Sequence, residues 1–473
     1  MSVIAGGVRP DAGQAPQAGS VRWALAGLSL SMLLSALGTS IANIGLPTLA
    51  EAFAASFQAV QWVVIAYLLA VTTLVVGVGR LGDIVGRKTL LLAGIALFTA
   101  ASVLCGLAPT LWLLIAARAA QGAGAAVMMA LTMAFVGETI PKDRTGRAMG
   151  LLGTMSAIGT ALGPSLGGVL IAGFGWRAIF LVNLPLGVLA LVLAYRALPA
   201  DRPAPETGRA PFDRTGMILL ALTLAAYALA TTLGRGSFGP LNIALLAAAA
   251  AGAGLFILVE RRAASPLVRL TMFRGPVLSA SLAMSLLVAA VMMATLVVGP
   301  FHLARALGLD TVTVGLAVSI GPLVVALTGV PAGRLTDRFG PQRVTVAGLL
   351  GVAAGCAALS MMPQAAGVPG YVLPLVAITA GYALFQTANN TEVMRDLPQD
   401  RRGVVAGLLG LSRNLGLITG ASVMGAVFAL ASGSDVAAAG PAAVAAGTRT
   451  TFAVAAAMAM AALAIAIGRR GRL

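Results

Sequence analysis

Charged side chains are scarce in this chain, at 10% of 473 residues, against about 25% in a soluble globular domain. Histidine occurs once and cysteine twice. Cys105 and Cys356 lie in different apolar blocks and read as small buried hydrophobes, so no disulfide framework is implied. One imidazole and two distant thiols supply neither a metal cage nor a nucleophile–base pair. Both lysines, Lys88 and Lys142, fall in short polar connections, which leaves no buried amine for a Schiff base. No Gly-x4-Gly-Lys-Ser/Thr string is present to cradle a nucleotide phosphate. These absences exclude most enzyme chemistry and ATP-driven work, and no cofactor or metal is expected.

Apolar residues are what the chain has, at 59% hydrophobic and a mean hydropathy of +0.96. They are not gathered into the cores of soluble domains. They come in blocks of roughly 20 residues, long enough at about 1.5 Å per residue to cross a hydrocarbon layer of about 30 Å. Uncharged blocks fall at 23–46, 58–79, 89–108, 111–137, 148–173, 178–195, 215–234, 236–259, 275–301, 311–333, 344–362, 370–391, 403–432 and 450–468, which predicts fourteen membrane helices. Long segments that are apolar all round exclude the alternating pattern of a membrane β-barrel. The first twenty residues, rich in Gly, Ala, Pro and Gln, have no apolar core and are expected to form a short disordered cytoplasmic tail rather than a cleavable signal peptide.

The net charge of +16 raises the question of a nucleic-acid partner, and the positions of the bases answer it. With fourteen spans and a cytoplasmic N-terminus, 25 of the 31 Lys and Arg residues fall in the tails or in cytoplasmic loops. Arg177, Arg235, Arg305 and Arg449 fall outside, and Arg118 and Arg413 fall within spans. The positive charge is therefore topological, both termini are placed in the cytoplasm, and no nucleic-acid partner is expected.

The string "GRLGDIVGRK" from Gly79 to Lys88 packs an acid, three bases and three glycines between the second and third spans. It has an echo, "GRLTDRFGPQR", beginning at Gly333 and including Asp337 and Arg338. Both copies follow the second helix of a six-helix block. This predicts two related bundles, residues 21–198 and 263–473, separated by two accessory helices in 199–262 and preceded by the tail 1–20.

The chain resembles the major facilitator superfamily, in its fourteen-helix drug:proton antiporter branch. Gly79, Leu81, Asp83, Gly86, Arg87 and Lys88 match the family's loop signature; "RAAQGAGAA" (118–126), "GTALGPSLGG" (159–168), "WRAIFLVNLPLG" (176–187) and "LSRNLG" (411–416) are similar to its other characteristic stretches. The resemblance implies an all-α polytopic fold of two pseudo-symmetric six-helix bundles plus two inserted helices. It also implies a monomeric exporter of amphipathic small molecules in a bacterial inner membrane, exchanging substrate for protons by alternating access. It assigns the Gly79, Gly82, Asp83, Gly86, Arg87, Lys88, Asp337 and Arg338 turns to a latch between the halves, with Asp83 facing the start of the thirteenth helix. The Gly159, Gly163, Pro164, Gly167 and Gly168 string becomes the antiporter motif, and Arg118 a participant in proton transfer.

The residues themselves support part of this reading. Gly159, Gly163 and Gly167 recur every four residues and share one helix face, where small residues permit close packing, and Pro164 favours a bend. Arg118 and Arg413 lie about 10 and about 15 Å inside their helices by helical rise, so each must face protein or a water-filled cavity. Polar residues inside apolar spans (Asn43, Gln61, Tyr67, Gln121, Asn183, Gln386, Asn389 and Asn390) are candidates for a substrate cavity, and each can equally serve as glue between helices. Met128, Met129, Met292 and Met293 could form an adaptable apolar wall.

The match fails in the first helix, where the branch carries an aspartate and this chain reads "LGTSIANIGLP", with Gly38 at that position. No other acid lies near the middle of a span, which leaves Glu392, coupled to Arg413 one helix on, and Glu138, both at cytoplasmic helix ends, as the carboxylate candidates for proton coupling. A same-fold carrier for a narrower neutral or lipid-like solute, working without protons, stands as the alternative; a membrane enzyme or receptor is disfavoured.

Overall fold

The computed structural model describes residues 18–139, 142–201, 213–233, 239–263, 275–395, 399–433 and 439–468, and among them no strand occurs. Fourteen long helices run through the molecule: α1 (Ala18–Ile44), α2 (Phe57–Val85), α3 (Arg87–Leu107), α4 (Leu111–Thr139), α5 (Lys142–Phe174), α6 (Asn183–Ala197), α7 (Arg214–Thr232), α8 (Pro240–Arg262), α9 (Pro276–Phe301), α10 (Thr311–Phe339), α11 (Pro341–Met361), α12 (Gly367–Arg395), α13 (Gln399–Thr419) and α14 (Pro441–Gly468). Thirteen helical stretches among the described residues are long and apolar enough to cross a membrane, and α7 adds a shorter one, Thr215–Ala230. A turn of π-helix at Gly420–Met424 carries α13 on into a last helical segment, Gly425–Ala431.

Helix ends follow local chemistry. Ser56 caps α2, its Oγ accepting from Ala59 N at 3.3 Å. Asp213 and Asp310 cap α7 and α10 in the same way. Prolines open α8, α9, α11 and α14, at the position where the missing N–H has no helical partner to lose. Several helices outrun the apolar blocks that predicted them. α5 begins at Lys142 rather than 148 and α14 at Pro441 rather than 450, because an apolar block measures only the hydrocarbon-matched part of a helix. In α14 the added turns are rich in alanine, the best helix former, and Thr448, Thr450 and Thr451 satisfy their hydroxyls by donating back to Val444 O, Ala446 O and Gly447 O. At the other end of the chain, Ala18–Ser20 belong to α1, so the helix takes in the last three residues of the expected tail; the remainder of that tail lies outside the described residues.

The two-bundle expectation has a direct structural signature. In the first bundle α1 packs on α5 and α6, α4 on α2 and α3, and α3 on α6; the same pairings recur eight helices later, as α9 with α13 and α14, α12 with α10 and α11, and α11 with α14. Equivalent glycines serve equivalent crossings. Gly94 of α3 meets Val127 and Gly124 O of α4, and Gly348, 254 residues on, meets Gly381 O and Phe385 N of α12. The paired turns match too: Gly86 (φ +105°) separates α2 from α3 and Gly340 (φ +83°) separates α10 from α11. Both sit in the left-handed region that favours glycine.

The bundles meet along two seams, α5 against α10 and α2 against α13. The inserted α7 lies over the second: Trp62 Nε1 of α2 donates to Thr232 Oγ1 at 3.0 Å, and the Tyr227 and Thr419 hydroxyls are 3.2 Å apart. α8 is tied to α7 by Asn242, whose Nδ2 donates to Ala230 O and Leu233 O.

Candidate functional site

A cavity of about 1360 Å³, counted to its open mouth, lies between the bundles. α1 contributes Met32, Ser35, Thr39 and Ser40; α4 contributes Met129; α5 contributes Gly153, Ser156 and Thr160; α9, α10, α12 and α13 complete the wall with residues that include Met292, Pro322, Tyr382 and Arg413. The wall is mostly apolar and hydroxyl-bearing, which suits solutes with a large greasy surface and few polar groups. Among the described lining residues Arg413 is the only charged one.

One end of this cavity is sealed. The antiporter-motif string divides between two faces of α5. Gly159, Gly163 and Gly167 press on α1, where a Cβ on Gly159 would meet Leu33 O at 2.5 Å. Pro164 and Gly168 turn toward the other bundle. A Cβ on Gly168 would come 2.8 Å from Thr311 O of α10, and one on Gly315 of α10 would come 2.5 Å from Pro164 O. No side chain larger than hydrogen fits that crossing as it stands. Nearby, the rings of Phe57, Phe301 and Phe428 form a cluster that joins both bundles, with centroids 4.7 to 6.3 Å apart. Gln61 Nε2 donates to Ala421 O at 2.8 Å across the α2–α13 seam, at a carbonyl within the π-helical turn. Arg305 and Glu51 add an ion pair at 3.0 Å.

The opposite end, which carries the Gly86 and Gly340 turns, is open. Gly153, on that side of the lining, has no atom within 4 Å of where its Cβ would be. Gly79 and Gly333 are equally unobstructed, and Asp337, Arg338 and Phe339 are exposed. The Asp83 side chain lies outside the described ones, and so does that of Glu138.

What the first turn does hold is its own bundle. Asp201, just after α6, accepts from Lys88 N (2.7 Å), Thr89 N (2.9 Å) and Thr89 Oγ1 (2.7 Å), and Lys88 Nζ donates to Leu198 O at 2.7 Å. Partial burial pushes the Asp201 carboxyl up, but the Thr89 hydroxyl, the two backbone N–H groups and the Lys88 charge outweigh it and hold its pKa below the usual value. At the sealed end the Thr313 hydroxyl and the Thr313 and Val312 N–H groups similarly hold Asp310 low.

Arg118 is fully buried inside the first bundle and does not line the cavity. Its Nε donates to Val63 O at 2.9 Å, its Nη1 donates to Gln121 Oε1, and Gln121 Nε2 donates on to Ser102 Oγ at 2.6 Å. The guanidinium lies 4.2 Å from the Tyr67 ring centroid, and the Tyr67 hydroxyl donates to Ser35 O of α1 at 2.8 Å. Arg118 Nη2 has no hydrogen-bond partner among the described residues. Gly38 is part of the same neighbourhood: a Cβ there would lie 3.2 Å from the Tyr67 hydroxyl and from the Phe98 ring.

Of the eight polar cavity candidates, then, Gln386 lines the cavity and the others sit elsewhere. Gln61 bridges the seam; Tyr67 and Gln121 serve Arg118. Asn43 bonds back to Thr39 O and Ser40 O in its own helix, and Asn389 donates to Ser285 Oγ at 3.1 Å within the second bundle. Asn183 is buried and Asn390 exposed. Of the four methionines Met129, Met292 and Met293 reach the wall, whereas Met128 is in the packed core. Arg413 and Glu392 are not brought together at the cavity, where only Arg413 is found. Sequence reasoning overlooked Asp201, Gly315, Tyr382 and the hydroxyl stripe of α1; Ser31, Ser35 and Thr39, spaced by four, were the available signal for the last.

Two bundles of like topology around a seam cavity sealed at one end define a membrane carrier. The chain belongs to the Major Facilitator Superfamily, whose family model matches residues 28–421. It is 32% identical over 409 residues to the multidrug resistance protein Stp of Mycobacterium tuberculosis, covering 85% of this chain and 74% of that one. It is 28% identical over 405 residues to the riboflavin transporter RibZ of Clostridioides difficile, covering 85% and 87%. In fold it resembles a crystal structure of a bacterial homologue of the human lysosomal transporter Spinster, with a TM-score of 0.70 and 16% identity over 95% of this chain and 97% of that one. Proteins of this family are transporters and not enzymes.

Proposed function

We propose that the protein is a secondary-active exporter of amphipathic small molecules, working as a monomer in the bacterial inner membrane by alternating access and exchanging its substrate for protons. The observation that carries the reading is the seam cavity, sealed at the Gly168–Gly315 crossing and open at the end that holds most of the bases. Bases favour the cytoplasmic side, so the open mouth faces the cytoplasm, both termini lie there, and substrate enters from inside. The likeness to Stp supports a drug-like substrate. Lipid, the solute and protons are its partners, and nucleic acid is not.

A second reading, a carrier of one neutral solute without proton exchange, is favoured by one specific feature. No carboxylate is found among the described cavity residues, and Gly38 occupies the place of the first-helix acid. The likeness to RibZ fits it. Reconstitution in liposomes separates the two. With a pH gradient imposed, amphipathic dye movement should follow the gradient and alkalinise or acidify the lumen in step. Dye movement indifferent to the gradient, with no lumenal pH change, rejects exchange and selects the second reading. No movement of any dye rejects the exporter.

A further inference from the structure

We propose that the cavity is an anion-selecting one: its preferred substrates are amphipathic carboxylates or similarly charged acids whose head group is received by Arg413. The inference rests on the transporter reading above and deepens it by naming the substrate's charge. Three observations point to it. Arg413 is the single charge on the described wall, while every other named polar contributor there is a neutral hydroxyl or amide. The guanidinium is incompletely used: Arg413 Nε is buried without a hydrogen-bond partner among the described residues. The groups around it also complement an acid. Tyr382 and Gln386 line the same cavity as Arg413, so a cation, a phenol and an amide stand on an otherwise greasy wall.

The physical consequence is one-sided. A guanidinium in a low-dielectric cavity without a counterion is costly, and an entering anion relieves that cost while a cation adds to it. A carboxylate meets the planar guanidinium through two parallel charge-assisted hydrogen bonds, and Met292, Met293 and Leu296 stand along the same cavity to cover an aromatic or aliphatic body. The nearest acid along α12, Glu392, is six residues past Gln386, about 9 Å by helical rise, and is outside the lining.

The test uses the full chain in zwitterionic-lipid nanodiscs, so that surface charge does not bias the result. Three probes share one ring system and differ in charge: naphthylacetate, naphthylacetamide and naphthylethylammonium. Equilibrium dialysis at neutral pH should give the order acetate, then amide, then ammonium, with the acetate at least about tenfold tighter than the ammonium. Arg413→Gln should bring acetate to within about twofold of the amide, and Arg413→Lys should retain part of the preference. The thermal midpoint of each variant is the control for folding. An ammonium bound as tightly as the acetate, or an acetate preference that survives Arg413→Gln, overturns the charge assignment alone. Failure of all three probes to bind overturns the exporter reading with it.

Discussion

Arg118 and Arg413 are both cations inside membrane helices, and their surroundings give them different work. Arg118 is walled in by Val63 O, Gln121, Tyr67 and Phe180 and does not itself line the cavity, whose wall it meets through Tyr67 and Ser35. Its forked guanidinium satisfies a backbone carbonyl of α2 and an amide of its own helix at once, a geometry that an ammonium on a flexible stem cannot copy. Arg118→Lys should therefore lower stability by about 2 kcal/mol, read as a fall in thermal midpoint in detergent, whereas Arg413→Lys should leave the midpoint nearly unchanged. Equal losses in the two variants would contradict the distinction. Reading the residues alone, the two arginines looked alike because helical rise gives depth and says nothing about direction. The amides misled for a related reason. Asn43, Gln61, Gln121 and Asn389 carry groups that demand hydrogen-bond partners in a dry environment; neighbouring helices supply them for Gln61, Gln121 and Asn389, and Asn43 turns back on its own helix, so polarity in a span reported helix pairing more often than solute contact.

Elements were more legible. Apolar blocks and the alternation of bases fixed the number and order of helices, and the Gly79 and Gly333 echo revealed the repeat. Direction on a helix was legible only where spacing carried it. The Gly159, Gly163, Gly167 stripe is one face by its period, while the role of Pro164 and Gly168 depends on α10, 143 to 151 residues away, and no local pattern announces that. The two faces give a prediction that separates them. Gly159→Ala strains α5 against α1 inside one bundle and should reduce stability. Gly315→Ala pries α5 from α10 at the seam and should loosen the seal while each bundle stays intact. With Val318→Cys as reporter, an impermeant maleimide applied at the sealed side should label faster in Gly315→Ala and not in Gly159→Ala. The α3 start offers another. Asp201→Asn removes a carboxylate cap and should cost about 0.5–1 kcal/mol at neutral pH. Because the folded carboxyl titrates below its unfolded value near ~3.9, its contribution is complete above that value and lost as pH falls through the lower, folded one. Wild type and variant should then converge in thermal midpoint in acid, and a gap that widens instead would refute the cap.

At the scale of the whole molecule, the structure holds one end shut with groups of very unequal weight. The Glu51–Arg305 pair is partly exposed, at 69% and 22%, and such pairs contribute about 0–1 kcal/mol. The glycine crossing and the three-ring cluster bury apolar surface and exclude water, so they carry the seal. At the other end, Gly79, Asp337 and Arg338 are exposed, and yet the charged turn is built twice, at equivalent places, with a left-handed glycine at each. Asp201 and Leu198 account for Lys88 and Thr89 within the first bundle, and the Asp83 side chain lies outside the described ones. If the turns act when the cavity faces the other way, removing the Asp83 charge should leave this conformation untouched and weaken its alternative. Asp83→Asn should therefore insert normally in the membrane, keep the wild-type thermal midpoint, and lose most transport. Spin labels at Ala52 and Leu309, one on each bundle at the sealed end, should report a single short distance in the variant where the wild type, with substrate and a pH gradient, shows a second and longer one. A variant that transports normally, or that populates the longer distance as wild type does, would confine the turn to holding α3 in place.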